Sequence, residues 1–179
     1  MLLISILLLI LVAALVALAF ALNALWSVLR NKVPYVPTSR WAVEWMAKHV
    51  DLIEDAVVYD LGCGDARVLR ALKKAHPSIR AIGYEIAWWP YLLARWRSRG
   101  TGVEIRHVSY FTADLHDADL IFCFLLDAVM ADTETLLRKQ LKKGASVYSY
   151  GFRFPDWQAS EEIRNPRPRG HSSLWVYRA

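Results

Sequence analysis

The chain has 179 residues, 55% hydrophobic and 22% charged, with eight Trp and a net charge of +5. That balance excludes a disordered or low-complexity protein and suits one domain, or one domain with an appendage. The averages conceal a partition: no charged side chain precedes Arg30, so all 22 Lys and Arg and all 17 Asp and Glu belong to the remainder.

Residues 1–29 read as a transmembrane helix. A bilayer core needs roughly 20 helical residues. Fifteen Leu, Ile, Val or Phe stand between Leu2 and Leu22, and their summed preference for insertion is on the order of 6 kcal/mol. Trp26 suits the membrane interface. A cleaved signal peptide is the competing reading, since Ala17-Leu18-Ala19 has cleavage-like spacing. Such a peptide starts with basic residues and has a shorter apolar stretch, about 7–15 residues. The first flanking charges, Arg30, Lys32 and Arg40, lie on the C-terminal side. By the positive-inside rule the following domain faces the cytoplasm, or the matrix of a mitochondrion.

Residues 30–40 form a linker whose Pro34 and Pro37 forbid continuing the helix, and 41–179 form one domain. Thr38 or Ser39 caps a helix over 41–49 with Trp41, Trp45 and Met46 on one face. Strands are expected over 56–60, 80–85, 103–108, 119–125, 145–150 and 172–178. Helices are expected over 65–74, 88–99 and 133–142, the last capped by Asp132, and Trp88 and Trp89 are expected to pack in the core or to touch a bound ligand. Strands alternating with helices make an α/β, Rossmann-like, doubly wound and mostly parallel sheet.

Composition excludes several functions. The basic stretch Arg164-Asn165-Pro166-Arg167-Pro168-Arg169 is broken by prolines and carries no nucleic-acid module, so no specific nucleic-acid partner is expected. Cys63 and Cys123 form no CxxC pair, which suits a reducing compartment. The five His lack ligand spacing, so no metal site is expected.

The chemistry sits after the first strand, in Asp60-Leu61-Gly62-Cys63-Gly64-Asp65. Gly62 and Gly64 permit a tight turn and close approach of a ligand to the backbone. A dinucleotide fingerprint would continue to a third glycine, where Arg67 stands. The Asp60 carboxylate would repel a pyrophosphate and favour a cationic ligand without phosphate, such as S-adenosylmethionine. Glu85 closes the second strand, where a carboxylate accepts ribose hydroxyls.

These residues, with Val33-Pro34-Tyr35-Val36-Pro37-Thr38, Arg95, Arg97 and Phe152-Arg153-Phe154-Pro155-Asp156-Trp157, resemble the class I, seven-stranded S-adenosylmethionine-dependent methyltransferases. The resemblance is narrower to the small membrane-anchored protein-lysine methyltransferases, whose members modify the ATP synthase c subunit and the adenine nucleotide translocase and which include an archaeal relative. It implies a cofactor site of Thr38, Asp60, Gly62, Cys63, Gly64, Glu85, Ile86, Ser109 and Tyr110. The candidates for the target amine's site are Tyr35, whose motif would lie across the cofactor mouth, and Asp127 after strand four, with Tyr110 or Phe111 as channel walls. Ser109-Tyr110-Phe111 departs from the acidic or amide residue usual after strand three, and Asp114 nearby is either its substitute or a loop acid. No proline-rich NPPY-type motif follows strand four, where Leu125-Leu126-Asp127 stands. The implied substrate is a lysine of a membrane protein beside the lipid bilayer. Methylation of a membrane-dissolved lipid or quinone, and a non-catalytic tethered scaffold, remain open alternatives.

Overall fold

The computed structural model describes residues 2–31, 36–166 and 172–179. The chain divides into two compact units, Met1–Tyr35 and Val36–Ala179. The first holds α1 (Leu2–Asn31), one continuous helix whose stretch Leu3–Leu22 is long and apolar enough to cross a membrane.

The second unit is built on seven strands: β1 (Val57–Leu61), β2 (Arg80–Tyr84), β3 (Val103–Arg106), β4 (Leu120–Cys123), β5 (Ser146–Tyr150), β6 (Glu161–Ile163) and β7 (Leu174–Arg178). Their order across the sheet is β3-β2-β1-β4-β5-β7-β6. All pairs are parallel except β7, which runs antiparallel to both β5 and β6. The expected mostly parallel sheet is therefore present, with β6 as an additional short strand. Consecutive residues of the central strands alternate between two cores. Val58, Ala81, Leu120 and Phe122 join one, with residues of α2 (Arg40–His49) and α3 (Arg67–Ala75). Tyr59, Ile82, Ile121 and Cys123 join the other, with residues of α5 (Met130–Gln140). A strand buried on both faces needs apolar residues throughout, which is why Asp60 inside β1 stands out. Between β2 and β3 runs α4 (Trp88–Arg97).

The elements follow their local chemistry. Ser39 caps α2, its hydroxyl accepting from the Ala42 N–H at 3.3 Å. Pro90 lies in the first turn of α4, where its missing N–H is harmless. Two expectations are corrected. Asp132 does not cap α5, because the 3-10 turn Asp127–Val129 leads into a helix that already begins at Met130. Trp88 and Trp89 are not core residues, being 54% and 50% exposed. Strand order reverses at β1, whose neighbours are β2 and β4, and open α/β sheets bind ligands beyond the carboxyl ends of the strands at such a point.

Candidate cofactor site

The loop leaving β1 is shaped by its glycines. Gly62 and Gly64 take φ of 80° and 56°, in the left-handed region that side chains rarely adopt. Ala66 follows at φ 59°, a non-glycine held in that region at a cost of about 1–2 kcal/mol. The N–H groups of Gly62 and Cys63 both donate to the Tyr84 carbonyl at 2.9 Å, stitching the loop onto the end of β2. The Cys63 side chain packs against Gly83, where a Cβ would lie 2.7 Å from its Sγ. Burial, with the Asp60 and Glu85 charges adding to it, pushes the Cys63 thiol up. Cys63 therefore packs through its side chain, and only its backbone is available to a ligand.

Glu85 completes the loop. Its Oε2 accepts from the Gly64 N–H at 3.0 Å and its Oε1 from the Ala87 N–H at 2.8 Å. Burial raises its carboxyl above the usual range, partly offset by the N–H groups of Ala87, Gly64 and Ile86. A carboxylate has about four lone-pair sites, so acceptor capacity remains for ligand hydroxyls.

Asp60, 3% exposed, pairs in register with Gly83 on one side and Phe122 on the other. No hydrogen bond from the described residues reaches its carboxylate, and burial, reinforced by Glu85 and Asp65, raises its pKa well above the usual value. A buried acid without a donor, next to a second acid over a glycine turn, is matched to a cationic donor ligand. The ammonium of S-adenosylmethionine would supply that donor, and its ribose diol would suit the remaining acceptor capacity of Glu85. The residues present therefore fit this cofactor.

Sequence reasoning missed the network that holds the loop. Asp65 is buried and receives Arg67 in a fork, Nε to Oδ1 at 2.9 Å and Nη2 to Oδ2 at 3.0 Å, together with Nη1 of Arg97 from α4. Burial acts against its ionisation, but the hydrogen bonds and charges of Arg67 and Arg97 outweigh it and hold the carboxyl below its usual range. Arg67 also donates to the Thr38 carbonyl at 3.0 Å. Thr38 is thereby tied to the glycine loop through its backbone. Replacing Asp65 with alanine removes the carboxylate that both arginines share, while Arg67 keeps the Thr38 carbonyl. The guanidiniums are 30% and 38% exposed, so the expected cost is about 2–3 kcal/mol, below the 3–5 of a fully buried pair. A lowered urea midpoint at unchanged slope is the result to look for.

The remaining candidates fall as follows. Ser109 is half-buried and caps the 3-10 turn Tyr110–Thr112, its hydroxyl accepting from the Phe111 N–H at 3.3 Å. Tyr110 is buried, its hydroxyl pairs with Thr133 at 2.9 Å, and its pKa is pushed up to about 12 by burial. Its ring lies 4.4 Å from that of Phe111. Ile86 is exposed directly after Glu85. Asp127 is exposed beyond the carboxyl end of β4, at the same sheet edge as the Asp60 loop. Asp114 is exposed and engaged with His116 at 2.7 Å. Tyr35 lies outside the described residues. An aromatic pair escaped notice, Phe124 and Tyr150 at the ends of β4 and β5, with centroids 4.9 Å apart. The Tyr150 hydroxyl donates to Ser39 at 2.9 Å, and the only signal for the pair was an apolar strand end facing Gly151. Among the described residues no cluster of His, Cys, Asp and Glu forms a metal site.

Comparison with known proteins agrees with this geometry. The family described as the ANTKMT methyltransferase domain matches residues 60–161. A protein-lysine N-methyltransferase of Saccharolobus islandicus (strain REY15A) is 31% identical over 149 residues, covering 81% of this chain and 92% of the relative. Among solved structures, an RNA methyltransferase from Salinibacter ruber in complex with S-adenosyl-L-homocysteine superposes with a TM-score of 0.72 at 28% identity, covering 80% of this chain and 93% of that one. The precorrin-6y C5,15-methyltransferase of Geobacter metallireducens shares the fold at 14% identity, with a TM-score of 0.60 and coverage of 80% and 88%. The chain belongs to the ANTKMT methyltransferase domain family and is an S-adenosylmethionine-dependent methyltransferase.

Proposed function

We propose that this methyltransferase modifies lysine side chains of membrane proteins, working from a domain tethered by α1 on the cytoplasmic or matrix side. The relative named as a protein-lysine N-methyltransferase carries the reading, because the similarity spans 92% of its length. The apolar stretch Leu3–Leu22 and the basic residues after it support the tether and its side.

The cofactor supplies a methyl group on an already activated sulfonium, so the protein's task is alignment and exclusion of water. Glu85 and the Gly62–Gly64 turn would hold the cofactor, and Asp60 would accept from its ammonium. A lysine must be neutral to attack, yet its free pKa is about 10.4. An aromatic wall such as the half-buried Phe124, backed by the buried Tyr150, would desolvate an ammonium and lower that value. Asp127 and Tyr35 are the candidates for steering the amine.

Membranes from cells lacking this chain, incubated with the full-length protein and methyl-labelled S-adenosylmethionine, test the assignment. Label is expected in a membrane-protein band, resistant to lipid extraction and to nuclease, and recovered as methyl-lysine after hydrolysis. Label confined to lipid or quinone extracts, or removed entirely by ribonuclease, overturns it.

A further inference from the structure

Helix α4 buries Pro90 and Ala94 on one side and presents an apolar face on the other. There Trp88, Trp89, Leu92 and Trp96 are 54%, 50%, 47% and 63% exposed. Positions 88, 92 and 96 follow the helical repeat, with 89 adjoining them, so the four form one stripe. Trp88 is held in place by the rings of Tyr91 and His107, with centroids at 5.8 and 4.3 Å. Arg95 and Arg99 are exposed beside the stripe, and no acidic residue occurs between Glu85 and Glu104. Soluble domains seldom leave apolar side chains of this size contiguous on the surface.

We propose that this face docks on the surface of an anionic lipid bilayer, with its Trp rings at headgroup depth and Arg95 and Arg99 against the phosphates. Tryptophan partitions to that depth and arginine is drawn to an anionic leaflet. The stretch without acids is what such a surface requires. A spanning α1 would confine the domain that follows it to the membrane. This last support rests on the tethered reading above. Docking has a consequence for catalysis, because α4 begins three residues after Glu85. The docked helix sets the cofactor end of the sheet beside the membrane, where a lysine at the edge of a membrane protein lies.

The test uses the full-length Leu92→Cys protein bearing an environment-sensitive fluorophore, in phosphatidylcholine vesicles with or without phosphatidylserine. Cys63 and Cys123 are buried and spared by the label. A probe at Thr135→Cys, exposed on α5, is the control. With phosphatidylserine present, a lipid-borne quencher is expected to reach the probe at position 92 and not that at 135. Each of Arg95→Gln and Arg99→Gln is expected to lower the docked-to-undocked ratio about fivefold. A position-92 probe left in water, while the chain resists alkaline carbonate extraction, overturns docking and leaves the tether standing. Carbonate release of a chain whose probe was quenched beforehand overturns the tether and supports docking. Burial of the probe that grows with protein concentration in lipid-free detergent assigns the face to a second copy and overturns the lipid assignment.

Discussion

Replacing Asp60 with asparagine is expected to stabilise the ligand-free domain at neutral pH and to weaken S-adenosylmethionine binding by about 10- to 150-fold. The two effects share one cause. The Asp60 carboxyl is buried and without a hydrogen bond from the described residues, and desolvation, then the charges of Glu85 and Asp65, raise its pKa well above normal. An acid whose pKa is raised by folding favours the folded state below its unfolded value of about 3.9 and loses that contribution as pH rises through the folded value. Near neutrality the wild-type domain therefore carries a penalty that asparagine avoids, and the gap in melting temperature should widen as pH rises from about 4. Binding runs the other way. A ligand ammonium lowers the same pKa, so binding should release a proton and tighten as pH rises until Asp60 is ionised in the free protein. The affinity loss follows from one charge-assisted hydrogen bond, about 1.5–3 kcal/mol. Calorimetry in buffers of different ionisation heat measures the proton release. A variant that is less stable than wild type at pH 8, or that binds equally well, would sink the assignment.

This trade between stability and binding explains which parts of the site could be read in advance. Asp60 was legible because a carboxylate inside an apolar strand, followed by two glycines, is locally inconsistent and so marks function. Glu85 was legible because the next strand places its end beside the first. The clamp of Asp65, Arg67 and Arg97 was not, since Arg67 meets Thr38 across 29 positions and Arg97 meets Asp65 across 32. Ion pairs between separate elements leave no periodic trace in a sequence. The Trp residues of α4 failed for a different reason. Helical spacing of apolar side chains shows that one face avoids water, but it does not say whether protein or lipid covers that face. The start of α5 was misplaced because Asp132 is a sound cap by residue type, while the 3-10 turn at Asp127 had already directed the chain into a helix.

Replacing Glu85 with alanine is expected to raise the dissociation constant for S-adenosylmethionine by about 150- to 25,000-fold and to reduce methyl transfer at fixed cofactor accordingly. Two ribose hydroxyls lose a charged acceptor, each such bond being worth about 1.5–3 kcal/mol. The same change removes the acceptor for the Gly64 and Ala87 N–H groups, which Glu85 holds at 3.0 and 2.8 Å, so the glycine turn also loses its tie to the second strand. Two comparators separate these roles. Glu85→Gln keeps the side chain's length and one acceptor oxygen but points an amide N–H at one of the two backbone donors, so both binding and stability should suffer. Glu85→Asp keeps the charge but is one methylene short, so it should retain acceptance from one partner and bind at an intermediate level. The order expected in titrations of cofactor against melting temperature is wild type, then aspartate, then glutamine and alanine. Should alanine bind as wild type does while its unfolding midpoint falls, Glu85 would be a loop tie alone, and the ribose contact would have to come from another residue at the carboxyl end of the sheet.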